Sequence, residues 1–189
     1  MQENELGSIK KGNKSKKGKV FTIILTVLIV IMATMLITVM AMKSAGYFLV
    51  VVDGASMEDT IKDGDKLVAK SVSKVSYGDI VVISGEAGYD LIKRVIAVEG
   101  QTVELIDGKV YVDGEMLEES YAKGETEPLT AKTVWVLKEG EIFYLGDNRE
   151  NSSDSRSSYD ICSLEQIEGV ICGWSLKLRP LNNFFFRFA

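Results

Sequence analysis

The sequence predicts a mainly β protein, an antiparallel β-sheet domain preceded by one N-terminal transmembrane helix. Three observations predict it. Residues 20–42, "VFTIILTVLIVIMATMLITVMAM", contain no charge, glycine or proline. Runs rich in β-branched residues, punctuated by Gly and Asp, recur from residue 47 to residue 178. Within them, "TVELIDGKVYVDG" (102–114) reads as a hairpin, two alternating runs around the tight-turn dipeptide Asp107-Gly108.

In chain order, residues 1–19 form a tail with Lys10, Lys11, Lys14, Lys16, Lys17 and Lys19 against Glu3 and Glu5. The apolar run 20–42 follows; at about 1.5 Å rise per residue it extends ~35 Å, enough for the hydrocarbon core of a bilayer. A cleaved leader has a shorter apolar region, and Ala41, Met42 and Lys43 make a poor small-x-small exit, so a retained anchor is expected. Six lysines before the span and only Lys43 just after it place the N-terminus in the cytoplasm and residues 43–189 outside. That outer part carries 16 basic and 25 acidic residues, a net of −9, which gives no electrostatic footprint for nucleic acid.

Strands are expected at 47–52, 66–72, 79–84, 91–98, in the hairpin, and at 133–137, 142–146 and 169–178. Residues 115–132 read as a charged surface excursion. Residues 163–169, "SLEQIEG", read as a short helix with Ser163 as N-cap and Gln166 three residues on. The closing "NNFFFRFA" (182–189) fits either an amphipathic last strand or a segment resting on the membrane through Phe184, Phe185, Phe186 and Phe188. Cys162 and Cys172 leave a disulfide and two free thiols both open.

Three stretches bear on chemistry. "DGASMEDTIKDGD" (53–65) is a polar turn after an apolar strand, and "YLGDNRENSSDSR" (144–156) is a strand end followed by a long polar run. "DLIKRVIAVE" (90–99) is an apolar strand with Lys93 near its centre. The chain has no histidine, which excludes Ser-His-Asp and Cys-His catalysis. A serine nucleophile would need another proton acceptor, and a lysine desolvated by apolar neighbours can serve, because burial disfavours its charged form. Lys93, among Leu91, Ile92, Val95 and Ile96, is the lysine best placed for that. Two readings stand for it: a strand lysine with its head in water, or a neutral base. Two stand also for Ser56, an ordinary turn serine or a nucleophile whose neighbours Gly54 and Ala55 leave the backbone open to an oxyanion. The 146–156 run is either an Asx- and Ser-rich surface loop or, with Asp154 and Arg156 paired, a rigid support for a base.

Together these stretches resemble the bacterial type I signal peptidases, membrane-anchored serine endopeptidases with a Ser-Lys dyad. "SMEDTI" (56–61) resembles the nucleophile box Ser-Met-x-Pro-Thr-Leu, "GDIVVI" (78–83) the following strand, and "KRVIAVEG" (93–100) the base box. "GDNRENSSDSR" (146–156) fits Gly-Asp-Asn-x-x-x-Ser-x-Asp-Ser-Arg at every fixed position. The short spacing from Lys93 to Leu145 resembles the single-anchor form of Gram-positive bacteria. The resemblance implies Ser56 as acylated nucleophile, Lys93 as general base, and Ser152 hydrogen-bonded to Lys93. It further implies Asp154 and Arg156 as a structural pair, Gly146 and Asp147 as shapers of the loop, and Val52, Met57, Ile61 and Ile92 as the lining of small substrate pockets. It implies no cofactor and no metal, and as partners a lipid bilayer and exported pre-proteins carrying signal peptides with Ala-x-Ala-like sites. Asp59 departs from the family's Pro. Gly54 stands where some members carry a serine that assists the oxyanion, which leaves backbone N–H groups, chiefly that of Ser56, for that task. Three other readings stand beside it: a self-cleaving repressor-type Ser-Lys protease cutting at Ala45-Gly46, a non-enzymatic anchored β domain, and a peptidase specialised for one group such as pilins.

Overall fold

The computed structural model describes residues 2–85, 88–157, 159–174 and 187–188. The chain divides into two compact units, Met1–Ala45 and Gly46–Ala189. The first is one helix, α1, Gln2–Ser44. Its segment Gly18–Ser44 is long and apolar enough to cross a membrane. The threonines of that segment carry its only side-chain hydrogen-bonding groups past Lys19 and before Lys43. Each hydroxyl donates back to a carbonyl of the helix itself: Thr22 to Gly18, Thr26 to Thr22, Thr34 to Ile31 and Thr38 to Thr34. No hydroxyl proton is left to seek water, as an apolar solvent requires.

The second unit is built on strands β1 (Tyr47–Val51), β2 (Lys66–Lys70), β3 (Ile80–Ile83), β4 (Leu91–Ala97), β5 (Thr102–Ile106) and β6 (Lys109–Val112). β7 (Glu115–Met116), β8 (Val134–Val136), β9 (Glu141–Leu145), β10 (Cys162–Ser163), β11 (Ile167–Trp174) and β12 (Arg187–Phe188) complete it. They form a large sheet of order β10-β9-β4-β3-β11-β2-β1-β12 and a small one of order β7-β6-β5-β8. Every pairing is antiparallel except β12 on β1, which is parallel. The mainly β, antiparallel class expected from the sequence is therefore the observed one.

The hairpin forms at its expected place: Asp107 and Gly108 both have positive φ, 48° and 71°, as the primed turn between β5 and β6 needs. Two expectations change. The helix at 163–169 is reduced to one 3-10 turn, Leu164–Gln166. Gln166 Oε1 still accepts from the Ser163 N–H at 2.8 Å, but from Ile167 the chain pairs with β3, and that ladder overrides the helical signal. Strands β7 and β10, two residues each, escape a pattern search because a period of two has no room to show itself. The cysteines are free thiols, Cys162 buried and Cys172 exposed, so no disulfide joins them; burial pushes the Cys162 thiol up to about 12. Phe184, Phe185, Phe186 and the expected strand residues 175–178 lie outside the described residues.

The apolar faces of these strands condense into three clusters. One fills the space under the small sheet around Trp135, Phe143 and Leu105. Another lies under β4 and β9, with Val81, Val95, Ile142 and Tyr144. The third, Val50, Val52, Met57, Ile61, Leu67, Ala69, Val82 and Ile92, is the floor on which the polar segments stand.

Candidate active site

Beyond β1 the chain turns through residues 52–65 and returns as β2. The loop is closed at its neck by Val52 N–H to Asp65 O and Gly64 N–H to Val52 O, both 2.9 Å. Gly54 has φ +125°, a conformation that L side chains rarely adopt, and donates its N–H to Asp63 Oδ1 at 2.9 Å. Met57 and Ile61 are driven into the third cluster, joined by Ile61 N–H to Met57 O at 2.8 Å. Two buried anchors at this spacing hold the turn down, and Ser56 is carried on it. The Glu58–Asp59 peptide bond is cis. Asp59 points outward, with its carboxylate 3.6 Å from the Lys123 ammonium.

Lys93 lies on β4, opposite Val81 of β3. It is 3% exposed, so the solvated-strand reading is excluded. Its Nζ sits 2.7 Å from Ser56 Oγ and donates to Ile92 O at 3.1 Å. Burial pushes its pKa down to about 8 against the pull of Asp154 and then Asp147, whose carboxylates favour the ammonium. Arg94 takes the other side of the strand. Its guanidinium grips Asp147 through two bonds, 2.8 and 2.6 Å, donates to Gly78 O at 2.9 Å, and stacks 4.0 Å over the Tyr121 ring. The strand that carries Lys93 is thus tied directly to the polar loop.

That loop begins where β9 ends. Leu145 pairs with Arg94, so the antiparallel register brings Gly146 level with Lys93. Glycine is needed there because a Cβ would stand 2.5 Å from Ser56 O and 2.2 Å from Ser152 Oγ. Gly146 N–H donates to Asp154 Oδ2 at 3.1 Å, and Asp154 is held by Arg156 at 2.8 and 3.0 Å, a wholly buried pair. Arg156 reaches on to Arg149 O, 2.7 Å, while Arg149 Nε donates back to Gly146 O at 3.0 Å. The Ser152 bond to Lys93 that the resemblance implied is not formed. Ser152 Oγ is buried without a partner among the described residues, close to Gly146.

Five residues around the site were not singled out from sequence: Asn148, Arg149, Glu119, Tyr121 and Thr126. Asn148 clamps the turn that carries Ser56, its N–H donating to Ser56 O and its Nδ2 to Ala55 O, both 3.0 Å. Arg149 pairs with Glu119 at 2.7 and 2.8 Å and with the Thr126 hydroxyl. Asn148 and Arg149 stand inside the "GDNRENSSDSR" run, so a signal for them existed. Glu119, Tyr121 and Thr126 belong to the excursion 115–132, where nothing in the local pattern marks them. The excursion is therefore less a free surface loop than a strap: Lys123 N–H to Asp147 O at 2.8 Å and Arg149 N–H to Lys123 O at 2.9 Å sew it to the polar loop.

A cleft of about 50 Å³ opens beside the Ser56–Lys93 pair, lined by Val52, Asp53, Gly54, Met57, Asp90, Leu91 and Ile92 with the pair itself. Of the expected pocket residues, Val52, Met57 and Ile92 line it; Ile61 lies behind them in the core. The Ser56 N–H donates to nothing among the described residues. The family model for signal peptidase, peptidase S26, matches residues 20–173. The chain belongs to the signal peptidase family. Membership makes it a serine endopeptidase, a hydrolase of peptide bonds, and the apolar helix Gly18–Ser44 fits a membrane-anchored member. Curated signal peptidases similar to it include signal peptidase I of Bacillus licheniformis, 28% identical over 169 residues, 82% of this chain and 88% of that one. A probable signal peptidase I-1 of Synechocystis sp. is 45% identical over 117 residues, covering 53% and 57%. Signal peptidase I T of Bacillus subtilis is 35% identical over 132 residues, covering 63% and 68%.

Proposed function

We propose that this signal peptidase is held in the membrane by residues 20–42, with residues 1–19 cytoplasmic, and removes N-terminal signal peptides from exported pre-proteins after Ala-x-Ala-like sites. The observation that carries the reading is the 2.7 Å approach of a buried lysine amine to Ser56 Oγ in a chain without histidine. Neutral Lys93 takes the Ser56 proton as Oγ attacks the scissile carbonyl. The Ser56 N–H, free of other partners among the described residues, supports the developing oxyanion. Lys93 then passes the proton to the leaving amine, which departs and leaves an acyl-enzyme on Ser56. It next takes a proton from the water that hydrolyses the ester. The substrate lies extended, its small first and third side chains before the cut against Val52, Met57 and Ile92. Ser152 orients the Lys93 amine by a hydrogen bond made during the reaction, a role supported by its buried hydroxyl being without another partner among the described residues.

A pre-protein cleavage assay across pH tests this. The base works only when neutral, so turnover falls as pH drops through about 8, the Lys93 pKa, and reaches a plateau above it. Ser56→Ala and Lys93→Ala each abolish cleavage. Near wild-type turnover in either variant, or a rate that stays level through the same pH range, would sink the dyad.

A further inference from the structure

The cleft at Ser56 has two walls, residues 52–57 and 90–93, and each includes one acidic residue, Asp53 and Asp90. They differ in standing. Asp90 is buried and already engaged within the fold. Asp53 is exposed, and among the described residues its carboxylate enters no hydrogen bond or ion pair. Its place is nonetheless fixed, because the backbone is pinned on both sides: Val52 N–H to Asp65 O, and Gly54 N–H to Asp63 Oδ1. The surroundings leave its charge uncompensated. The turn 53–65 carries Asp53, Glu58, Asp59, Asp63 and Asp65 against Lys62 alone, and Lys93 is uncharged in its working form.

Alternation at the end of β1 decides what this carboxylate meets. Val52 is buried in the cleft floor and Asp53, its neighbour, faces the other way. Resting on the function proposed above, an extended substrate puts its first and third side chains before the cut on the Val52 side. The second side chain then points to the side on which Asp53 stands. We propose that Asp53 is a specificity-determining residue whose carboxylate selects substrates with Lys or Arg at the second position before the cut and disfavours Asp or Glu there.

The test uses the full-length protein in neutral detergent and three peptides identical except for Lys, Gln or Glu at that position, with Ala at the first and third. The quantity read is the ratio of kcat/KM for the Lys peptide to that for the Glu peptide, within each variant. Wild type should favour Lys by about 5-fold at low ionic strength, the size of one exposed charge pair, and less in about 0.5 M salt. D53N should bring the ratio near one, and D53K should invert it. A wild-type ratio near one, or a ratio that survives D53N, overturns the proposal. If no peptide is cleaved, or if Ser56→Ala cleaves them as well as wild type, the reading of the site as a Ser-Lys peptidase fails and this proposal falls with it.

Discussion

Below about pH 8 the Lys93 ammonium is a buried, poorly solvated cation, and that has a thermodynamic signature apart from catalysis. The folded chain releases the proton near 8, whereas an exposed lysine keeps it to 10.5. Between those values the unfolded chain binds a proton that the folded chain does not, so stability rises with pH across the window. Below it both states are protonated and the whole penalty, about 3 kcal/mol, weighs on the fold. Lys93→Met should therefore unfold at higher urea than wild type at about pH 6, and the advantage should shrink towards about pH 10. Ser152 gives a second test of the same kind. Its Oγ is buried without a partner, so Ser152→Ala should match or exceed wild-type stability, within about 1 kcal/mol, when measured by urea unfolding. Any loss of turnover in that variant then belongs to the reaction and not to folding. Gly146→Ala is the opposite case. The new methyl meets Ser56 O, a backbone atom, at 2.5 Å, and the displaced nucleophile should cost roughly 100-fold or more in kcat.

At the scale of elements, β4 and the loop after β9 act as one piece because Arg94 and Asp147 are joined. Both are largely buried, 11% and 0% exposed at the side chain. Asp147→Ala leaves the guanidinium over Tyr121 without its counter-charge and should destabilise by about 3–5 kcal/mol in urea unfolding. Much of this was legible in the sequence. The strand order of chemistry-bearing segments, the hairpin at Asp107-Gly108, and the pairing of Asp154 with Arg156 follow from local pattern or from the boxes at 56–61, 93–100 and 146–156. The burial of Lys93 was not legible from its strand alone, since a period of two gives a face but not what covers that face. What covers it comes from far along the chain, from Ser56 at 2.7 Å and from the loop that enters through the β4–β9 register. The Glu119–Arg149 pair was illegible for a similar reason: it joins residues thirty apart, and a carboxylate in a charged excursion looks the same whether it meets water or an arginine. The helix at 163–169 failed because its own end signal was genuine but weaker than the ladder of β11 on β3.

At the scale of the molecule, the second unit, Gly46–Ala189, contains all three apolar clusters and every residue of the cleft. A chain starting at Gly46 should fold and cleave a soluble Ala-x-Ala peptide with kcat within a few-fold of the full-length protein. On a precursor embedded in vesicles it should fall well behind, because the anchored enzyme gains from being confined to the same surface. The two assays run in parallel separate what the sheet does from what the helix does. The dyad also has an origin in distance along the chain. Ser56 and Lys93 are 37 residues apart, and the Asn148 clamp reaches Ala55 across 93. No stretch of nascent chain contains a working site, and none exists until β9 has joined β4 and the last box has closed on the first. A peptidase that acts on pre-proteins is thus without a working site for as long as its own chain is unfolded. Its topology does the work that a removable propeptide does elsewhere.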